Sequence, residues 1–275
     1  MSTPTTVSRA LAASGLVPFE AKLLLAHVLG RDRAWLAAHA GESIAIEQAR
    51  AFDALARRRR NGEPVAYLIG RREFYGLDLE ITPDVLIPRP ETELLVELAL
   101  ARLPDGRAIR VLDLGTGSGA VALAIAAARR SAQVVGIDVS VPALALAARN
   151  AARLRIDNVT FVESDWFAAL ADERFDLIAG NPPYVAAGDP HLTEGDLRYE
   201  PQHALTAGAD GLNAVRTIVA ASPAHLAAGG WLLLEHGHDQ ADAVGALLRD
   251  TGFADIGAAR DLAGILRVSY GRISA

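Results

Sequence analysis

The chain contains no cysteine. That excludes disulfides, zinc–thiolate sites and a thiol nucleophile, and it fits a reducing compartment, with the cytoplasm as the expected location. Lysine is nearly absent too: Lys22 stands alone, so almost all positive charge is arginine. No run of about 18 uncharged apolar residues occurs, which argues against a membrane-spanning helix. The opening MSTPTTVSRALAASGL has no basic start leading into a long apolar stretch, so no signal peptide is expected. The low hydrophobicity of disordered chains is missing as well. At 275 residues and 51% hydrophobic, the chain has material for one large domain or two ordinary ones.

What is present is unevenly spread. The formal charge is −6, from 27 basic and 33 acidic residues. Residues 1–73 hold eleven Lys or Arg and seven Asp or Glu, a net +4, and the rest carries −10. A basic front on an acidic body suggests two units with different surfaces. Within the front, Arg57–Arg60 is a four-charge run at a helix end. It reads either as a solvated helix terminus or as a docking patch for an acidic partner.

The apolar pattern changes at the same place. Up to about Asn61 it is helical, with Leu23, Leu24, His27 and Val28 on one face and Ile46, Ala49, Phe52, Asp53 and Leu55 on another. Breaks at Ser14-Gly15, Gly30 and Gly41 suggest several short helices in a small bundle. Residues 64–70 and 73–82 alternate, as a hairpin or edge strands would. Pro88-Arg-Pro90 ends that stretch, and a helix is expected from Pro90, with Glu91 and Glu93 near its positive end. From Arg110 onward strands and helices alternate. Strands are predicted over 110–114, 133–138, 159–163, 176–179 and 230–235. Helices are predicted over 119–128, 142–154, 214–221 and 240–249, with two closing strands within 257–274. The fold class is therefore α/β, a mostly parallel sheet with helices on both faces. The organisation read from this is a helical unit over 1–73, a hairpin or linker over 74–90, and an α/β domain over 91–275.

Val111-Leu-Asp-Leu-Gly115-Thr-Gly117-Ser-Gly119 reads as strand, tight turn and helix start. Glycines let backbone approach a ligand, and a helix N-terminus offers free N–H groups. The spelling also allows a dinucleotide-binding turn. Asp113 argues against that, because a carboxylate there repels a pyrophosphate and suits a cationic ligand such as one bearing a sulfonium and an ammonium. Asp138 closes the next strand, where a carboxylate accepts ribose hydroxyls or caps the helix ahead of Pro142. Asp165-Trp166 follows the third strand: the aspartate can accept from an exocyclic amino group, and the tryptophan can flank an adenine or pack in the core.

The sharpest signal is Asn181-Pro-Pro-Tyr184, placed after a strand at the carboxyl edge of the sheet. A planar NH₂ that attacks a methyl group needs acceptors for both its hydrogens. The Asn181 side-chain oxygen and the Pro182 carbonyl can serve, held rigidly because Pro182 and Pro183 fix φ. Tyr184 can cover the flat group. A plain Pro-Pro turn is the bland alternative. His236 and His238 follow a strand but lack a third convergent ligand, so no metal is expected.

These motifs, in this order, resemble class I S-adenosylmethionine-dependent methyltransferases acting on nitrogen. Ile87-Pro-Arg-Pro-Glu-Thr-Glu93, Gly62-Glu-Pro-Val-Ala-Tyr67, Glu73-Phe-Tyr-Gly76, Tyr199-Glu-Pro201, Asp210-Gly-Leu212, Glu235-His-Gly237 and Asp261-Leu-Ala-Gly264 narrow the resemblance to release-factor glutamine methyltransferases. The resemblance covers essentially the whole chain. It implies a seven-stranded Rossmann-like methyltransferase sheet behind a small helical N-terminal domain. It also implies methylation of the glutamine amide in the Gly-Gly-Gln motif of bacterial peptide chain release factors. The cofactor would be S-adenosyl-L-methionine, leaving as S-adenosyl-L-homocysteine. Gly115, Thr116, Gly117, Ser118 and Gly119 would line its methionine end, Asp138 would hold the ribose and Trp166 the adenine. Asn181 would touch cofactor and substrate, with Pro182, Pro183 and Tyr184 completing the substrate pocket. An amino methyltransferase acting on adenine or guanine in RNA or DNA is the alternative. The net charge of −6 and the lack of an evident basic cleft weigh against it.

Overall fold

The computed structural model describes residues 5–104 and 106–274. They form two compact units. One comprises the chain up to Arg71 together with Thr193–Tyr199, and the other holds Arg72–Leu192 and the chain from Glu200 onward. The segment 193–199, which a contiguous division leaves in the catalytic domain, thus clusters with the helices.

The helical unit contains α1 (Val7–Ala13), α2 (Pro18–Leu29), α3 (Arg33–Ala38), α4 (Ile46–Arg60) and α5 (Val65–Ile69). Their ends are set locally. The Asp32 side chain accepts from Trp35 N at 2.7 Å and caps α3. Pro18 opens α2, and Gly30 closes it in the left-handed region at φ 61°. The core gathers Val7, Leu24, Leu25, Leu36 and Phe52, all 2% exposed or less. The buried faces are rotated from those read off the spacing: Ala21, Leu24 and Leu25 turn inward, whereas His27, Ile46 and Asp53 are exposed. In helices this short, the available neighbour sets the phase, not the repeat.

Residues 64–70 form no strand. Pro64 precedes α5, Gly70 ends it at φ 70°, and Ala66, Tyr67 and Leu68 are buried. Five residues are too few for alternation to separate strand from helix, and the Pro-start, Gly-stop signature decides. The arginine run is also mostly engaged within this unit. Arg58 pairs with Glu63, Arg59 with Glu20 at 2.8 Å and Asp196 at 2.7 Å, and Arg60 donates to the Ser14 carbonyl.

A hairpin of β1 (Arg71–Phe74) and β2 (Leu77–Glu80), turning at Tyr75-Gly76, both at positive φ, lies in the second unit except for its first residue, Arg71. A 3-10 turn over Pro90–Thr92 leads into α6 (Glu93–Arg102). Then follow β3 (Ile109–Leu114), α7 (Ala120–Ala128), β4 (Ala132–Asp138), α8 (Val141–Leu154), β5 (Val159–Glu163) and β6 (Phe175–Gly180). The chain closes with α9 (Asn213–His225), β7 (Leu226–Glu235), α10 (Ala241–Asp250), β8 (Ala254–Arg260) and β9 (Leu266–Arg272). Every strand and helix expected from Arg110 onward is present. α7 is apolar all round and buried from Ala120 to Ala126, as a central helix should be.

The seven strands lie in the order β5-β4-β3-β6-β7-β9-β8. β3 to β7 pair in parallel, while β9 runs antiparallel to both β7 and β8. The chain winds outward from β3 to β5, then crosses to the other side of β3 with β6. The carboxyl ends of β3 and β6 therefore flank the reversal point, where such sheets leave a crevice. The register pairs Leu114 with both Ile137 and Gly180, and Gly180 with Leu234. The next residues, Gly115, Asp138, Asn181 and Glu235, thus line one sheet edge. Among the described residues no helix is long and apolar enough to cross a membrane.

Candidate active site

In the turn after β3, Gly115, Gly117 and Gly119 all have positive φ, at 69°, 54° and 84°. They do different things. A Cβ on Gly115 or Gly117 would meet nothing within 4 Å, so both present bare backbone to open space. A Cβ on Gly119 would come within 3.0 Å of Leu123 and 3.1 Å of Ala147, so this glycine serves the packing of α7. Thr116 Oγ1 donates to Asp113 Oδ2 at 2.7 Å, and Ala122 N donates to the same oxygen at 3.1 Å. Asp113 is 1% exposed, and burial pushes its carboxyl up to about 7. It ties the loop to the first turn of α7, a structural task that the expectation of a cation-facing carboxylate did not include.

Asp138 lines an open cleft. Its Oδ2 accepts from Gly117 N at 2.9 Å and its Oδ1 from Ser140 N at 2.9 Å. Two backbone donors fix the carboxylate and leave lone pairs for further donors. Capping of α8 falls to Ser140, whose Oγ accepts from Ala143 N at 3.3 Å. Gly115, Gly117, Asp165, Trp166, Asn181 and Pro183 share the cleft wall. Trp166 lines the cleft and also packs against the main core. A smaller adjoining cavity is lined by Gly115, Thr116, Gly117, Ser118 and Asn181, together with Arg89, Thr92 and Asp113. Its charged lining residues are Asp113, bonded to Thr116 and Ala122, and Arg89, paired with Glu200. A bare glycine backbone, a held carboxylate beside an indole, and this polar end match the donor and acceptor set of an adenosine linked to an amino acid.

Asn181 borders both cavities, and its Nδ2 donates to Thr92 Oγ1 at 3.2 Å. Tyr184 donates its hydroxyl to Glu235 Oε1 at 3.4 Å, and burial and that acid push its own pKa up. Pro182, Tyr184 and Gly119 lie outside the walls of the two cavities. Pro182 is buried and Tyr184 points toward Glu235.

Several supports carried no chemical signal in the sequence. Gln240 Nε2 donates to the Tyr184 carbonyl at 3.0 Å and to the Asp210 carbonyl at 3.3 Å. A Cβ on Gly211 would sit 2.2 Å from the Tyr184 oxygen, so only glycine lets that loop close on the tetrapeptide. Thr92, Gly211 and Glu235 lie inside motifs that the resemblance had singled out, without an assigned role. Gln240 lies outside all of them. His236 bonds Ser269 Oγ at 2.9 Å in the interior, whereas His238 is exposed. The two do not converge.

Comparison with known proteins agrees with this geometry. The family profile described as PrmC N-terminal domain matches residues 5–70, and Methyltransferase small domain matches residues 91–195. A release factor glutamine methyltransferase of Xylella fastidiosa (strain Temecula1) is 51% identical, over 92% of this chain and 92% of its own length. One from Burkholderia pseudomallei is also 51% identical, covering 98% of this chain and 97% of that protein. In fold alone, a Thermus thermophilus 16S rRNA N2 G1207 methyltransferase, solved with AdoMet and guanosine, superposes with a TM-score of 0.56 at 22% identity. That match covers 74% of this chain and 49% of that one. The chain is a methyltransferase and belongs to the release factor glutamine methyltransferase family.

Proposed function

We propose that this protein transfers a methyl group from S-adenosylmethionine to the side-chain amide nitrogen of the glutamine in the Gly-Gly-Gln motif of bacterial peptide chain release factors. The names of the relatives support the substrate class. The observation that carries the chemistry is the hydrogen bond from Asn181 Nδ2 to Thr92 Oγ1 on a side chain that lines both cavities, which keeps the Asn181 carbonyl oxygen available as an acceptor. When bound, S-adenosylmethionine supplies an electrophilic methyl group and leaves as S-adenosylhomocysteine.

The residues here bind and orient. Asp138 receives ribose hydroxyls, Trp166 covers the adenine, and Gly115 and Gly117 let backbone approach the methionine end, with Thr116 and Ser118 lining it. Asn181 Oδ1 and the Pro182 carbonyl accept the two hydrogens of the glutamine NH₂, aiming its nitrogen at the methyl group. Pro183 keeps the acceptors rigid, and Tyr184 backs them. As the C–N bond forms, these acceptors stabilise the positive charge growing on nitrogen, whose proton leaves after transfer. The partner is a release factor and the location the cytoplasm.

The test is transfer of labelled methyl from S-adenosylmethionine into release factor, rRNA, tRNA and DNA side by side. Label is expected in release factor alone. Label in a nucleic acid but not in release factor overturns the substrate assignment. Thermal stabilisation by S-adenosylhomocysteine but not by NAD checks the cofactor independently.

A further inference from the structure

Gln240 is the residue before α10 and is 8% exposed. A polar residue in that place usually caps its helix, but the Gln240 side chain makes no capping bond to α10. It points elsewhere. Its Nε2 donates to the Tyr184 carbonyl at 3.0 Å and to the Asp210 carbonyl at 3.3 Å, and its Oε1 accepts from Gly237 N at 2.9 Å. A primary amide offers two hydrogens and one carbonyl, and these three bonds use all of them. The partners are all backbone. A carbonyl can only accept and an N–H can only donate, so the amide fits one way round.

The amide thereby holds the far end of Asn181-Pro-Pro-Tyr184. β6 holds the near end, where Gly180 pairs with Leu114 and Leu234. Between the two ends Pro182 and Pro183 have fixed φ, so pinning the Tyr184 carbonyl leaves the Pro182 carbonyl little freedom to turn. The chain just beyond is zipped to a second segment. Val185 N donates to the Leu205 carbonyl at 2.9 Å, Ala207 N to the Val185 carbonyl at 3.0 Å, and Ala187 N to the Gly208 carbonyl at 2.7 Å. Residues 185–187 and 205–208 are the neck from which 188–204 leave and to which they return. So short a pairing has little stability of its own. Gln240 joins both of its limbs, through Tyr184 and Asp210, to the turn at Gly237.

We propose that Gln240 is a positioning residue for methyl transfer, its one side-chain amide clamping the neck at Tyr184 and Asp210 so that the Pro182 carbonyl is held ready to accept from the substrate NH₂. This rests on the reading of Asn181-Pro-Pro-Tyr184 as the acceptor of that NH₂. Gly211 leaves the room that the clamp needs, since a Cβ there would lie 2.2 Å from the Tyr184 oxygen and 2.9 Å from Gln240 Nε2.

Two variants and a control test it, with labelled S-adenosylmethionine and release factor as substrates. Gln240→Met keeps the length and removes all three bonds. Its kcat should fall about ten- to a hundredfold, the effect of misplacing a reacting group by about an ångström. The KM for release factor and the Kd of S-adenosylhomocysteine should stay within about twofold. Gln240→Glu still accepts from Gly237 N but has no pair of hydrogens for the two carbonyls, so its kcat should fall as well. Wild-type kcat in either variant overturns the proposal, as does a loss that follows lost cofactor binding. Asn181→Ala separates the two levels. An inactive Asn181→Ala beside a fully active Gln240→Met sinks only the clamp, whereas a fully active Asn181→Ala sinks both. A further readout needs no turnover: in free Gln240→Met, the Val185 and Ala207 amide hydrogens should exchange faster while those of β3 keep their protection. Unchanged exchange at Val185 and Ala207, or protection lost equally across β3, overturns the clamp even if no substrate is methylated.

Discussion

Arg89 and Glu200, 111 positions apart in the sequence, form an ion pair whose acid is wholly buried. The other Glu200 oxygen accepts from Ile87 N at 3.3 Å. Leu86 and His203, close in sequence to these partners, both line the larger cleft, so the pair ties together two segments that build its wall.

Removing the cation should therefore cost stability and cofactor affinity together. Arg89→Ala leaves Glu200 buried without its counter-charge, and Tm should drop by roughly 5–15 °C. S-adenosylhomocysteine should bind more weakly by calorimetry. Replacing both partners by methionine should recover most of the Tm. A double variant as unstable as the single one would show that the pair is not what holds the walls.

Asn181→Ala should keep its fold and lose most of kcat, because the amide acceptor is gone while the cavity walls remain. Circular dichroism and single-turnover methyl transfer read the two separately. A folded Asn181→Ala with full activity contradicts the role given to the side-chain oxygen.

Burial pushes the Glu235 carboxyl up to about 7, against the stabilising pull of Thr92, Arg267 and Tyr184 and with the push of Glu91. The adjoining His236 is pushed below its ordinary value, chiefly by burial. An acid that holds its proton more tightly folded than unfolded makes stability fall as pH rises, here from about 4.5 to about 7. Glu235→Gln lacks that penalty, so its Tm should exceed that of the wild type by more at pH 8 than at pH 5.

The arginine run divides by function. Arg59, bonded to Glu20 and Asp196, has a side chain 18% exposed, and Arg59→Ala should lower Tm. Arg57 is exposed and makes no side-chain contact recorded among the described residues, so Arg57→Glu should leave Tm unchanged. If that reversal also leaves affinity for release factor unchanged at low salt, the basic front has no part in docking through this residue.

The sheet was legible because each strand is a short apolar run closed by a turn signal, as in Val111-Leu-Asp-Leu-Gly115 and Val135-Gly-Ile-Asp138. The Asn181 tetrapeptide was legible because prolines after a strand restrict the backbone to few shapes. Side-chain direction within the glycine loop was not. Thr116 and Ser118 are loop residues by sequence, yet both are buried, and Thr116 bonds Asp113. The meeting of Thr92 with Asn181, and of Tyr184 with Glu235, was illegible for another reason. Nothing local to any of the four encodes it, since it arises from strand order and register.

The two units are interleaved along the chain. Thr193–Tyr199 belongs with the helices, where Asp196 bonds Arg59, and Arg198 and Tyr199 both reach the Asn61 carbonyl. The boundary is therefore not a cut site. A fragment starting at Arg72 would still carry 193–199, with its arginine, tyrosine and aspartate stripped of their partners. An engineer grafting a different recognition module onto this catalytic sheet would have to exchange that internal segment along with the front helices, two edits for one module.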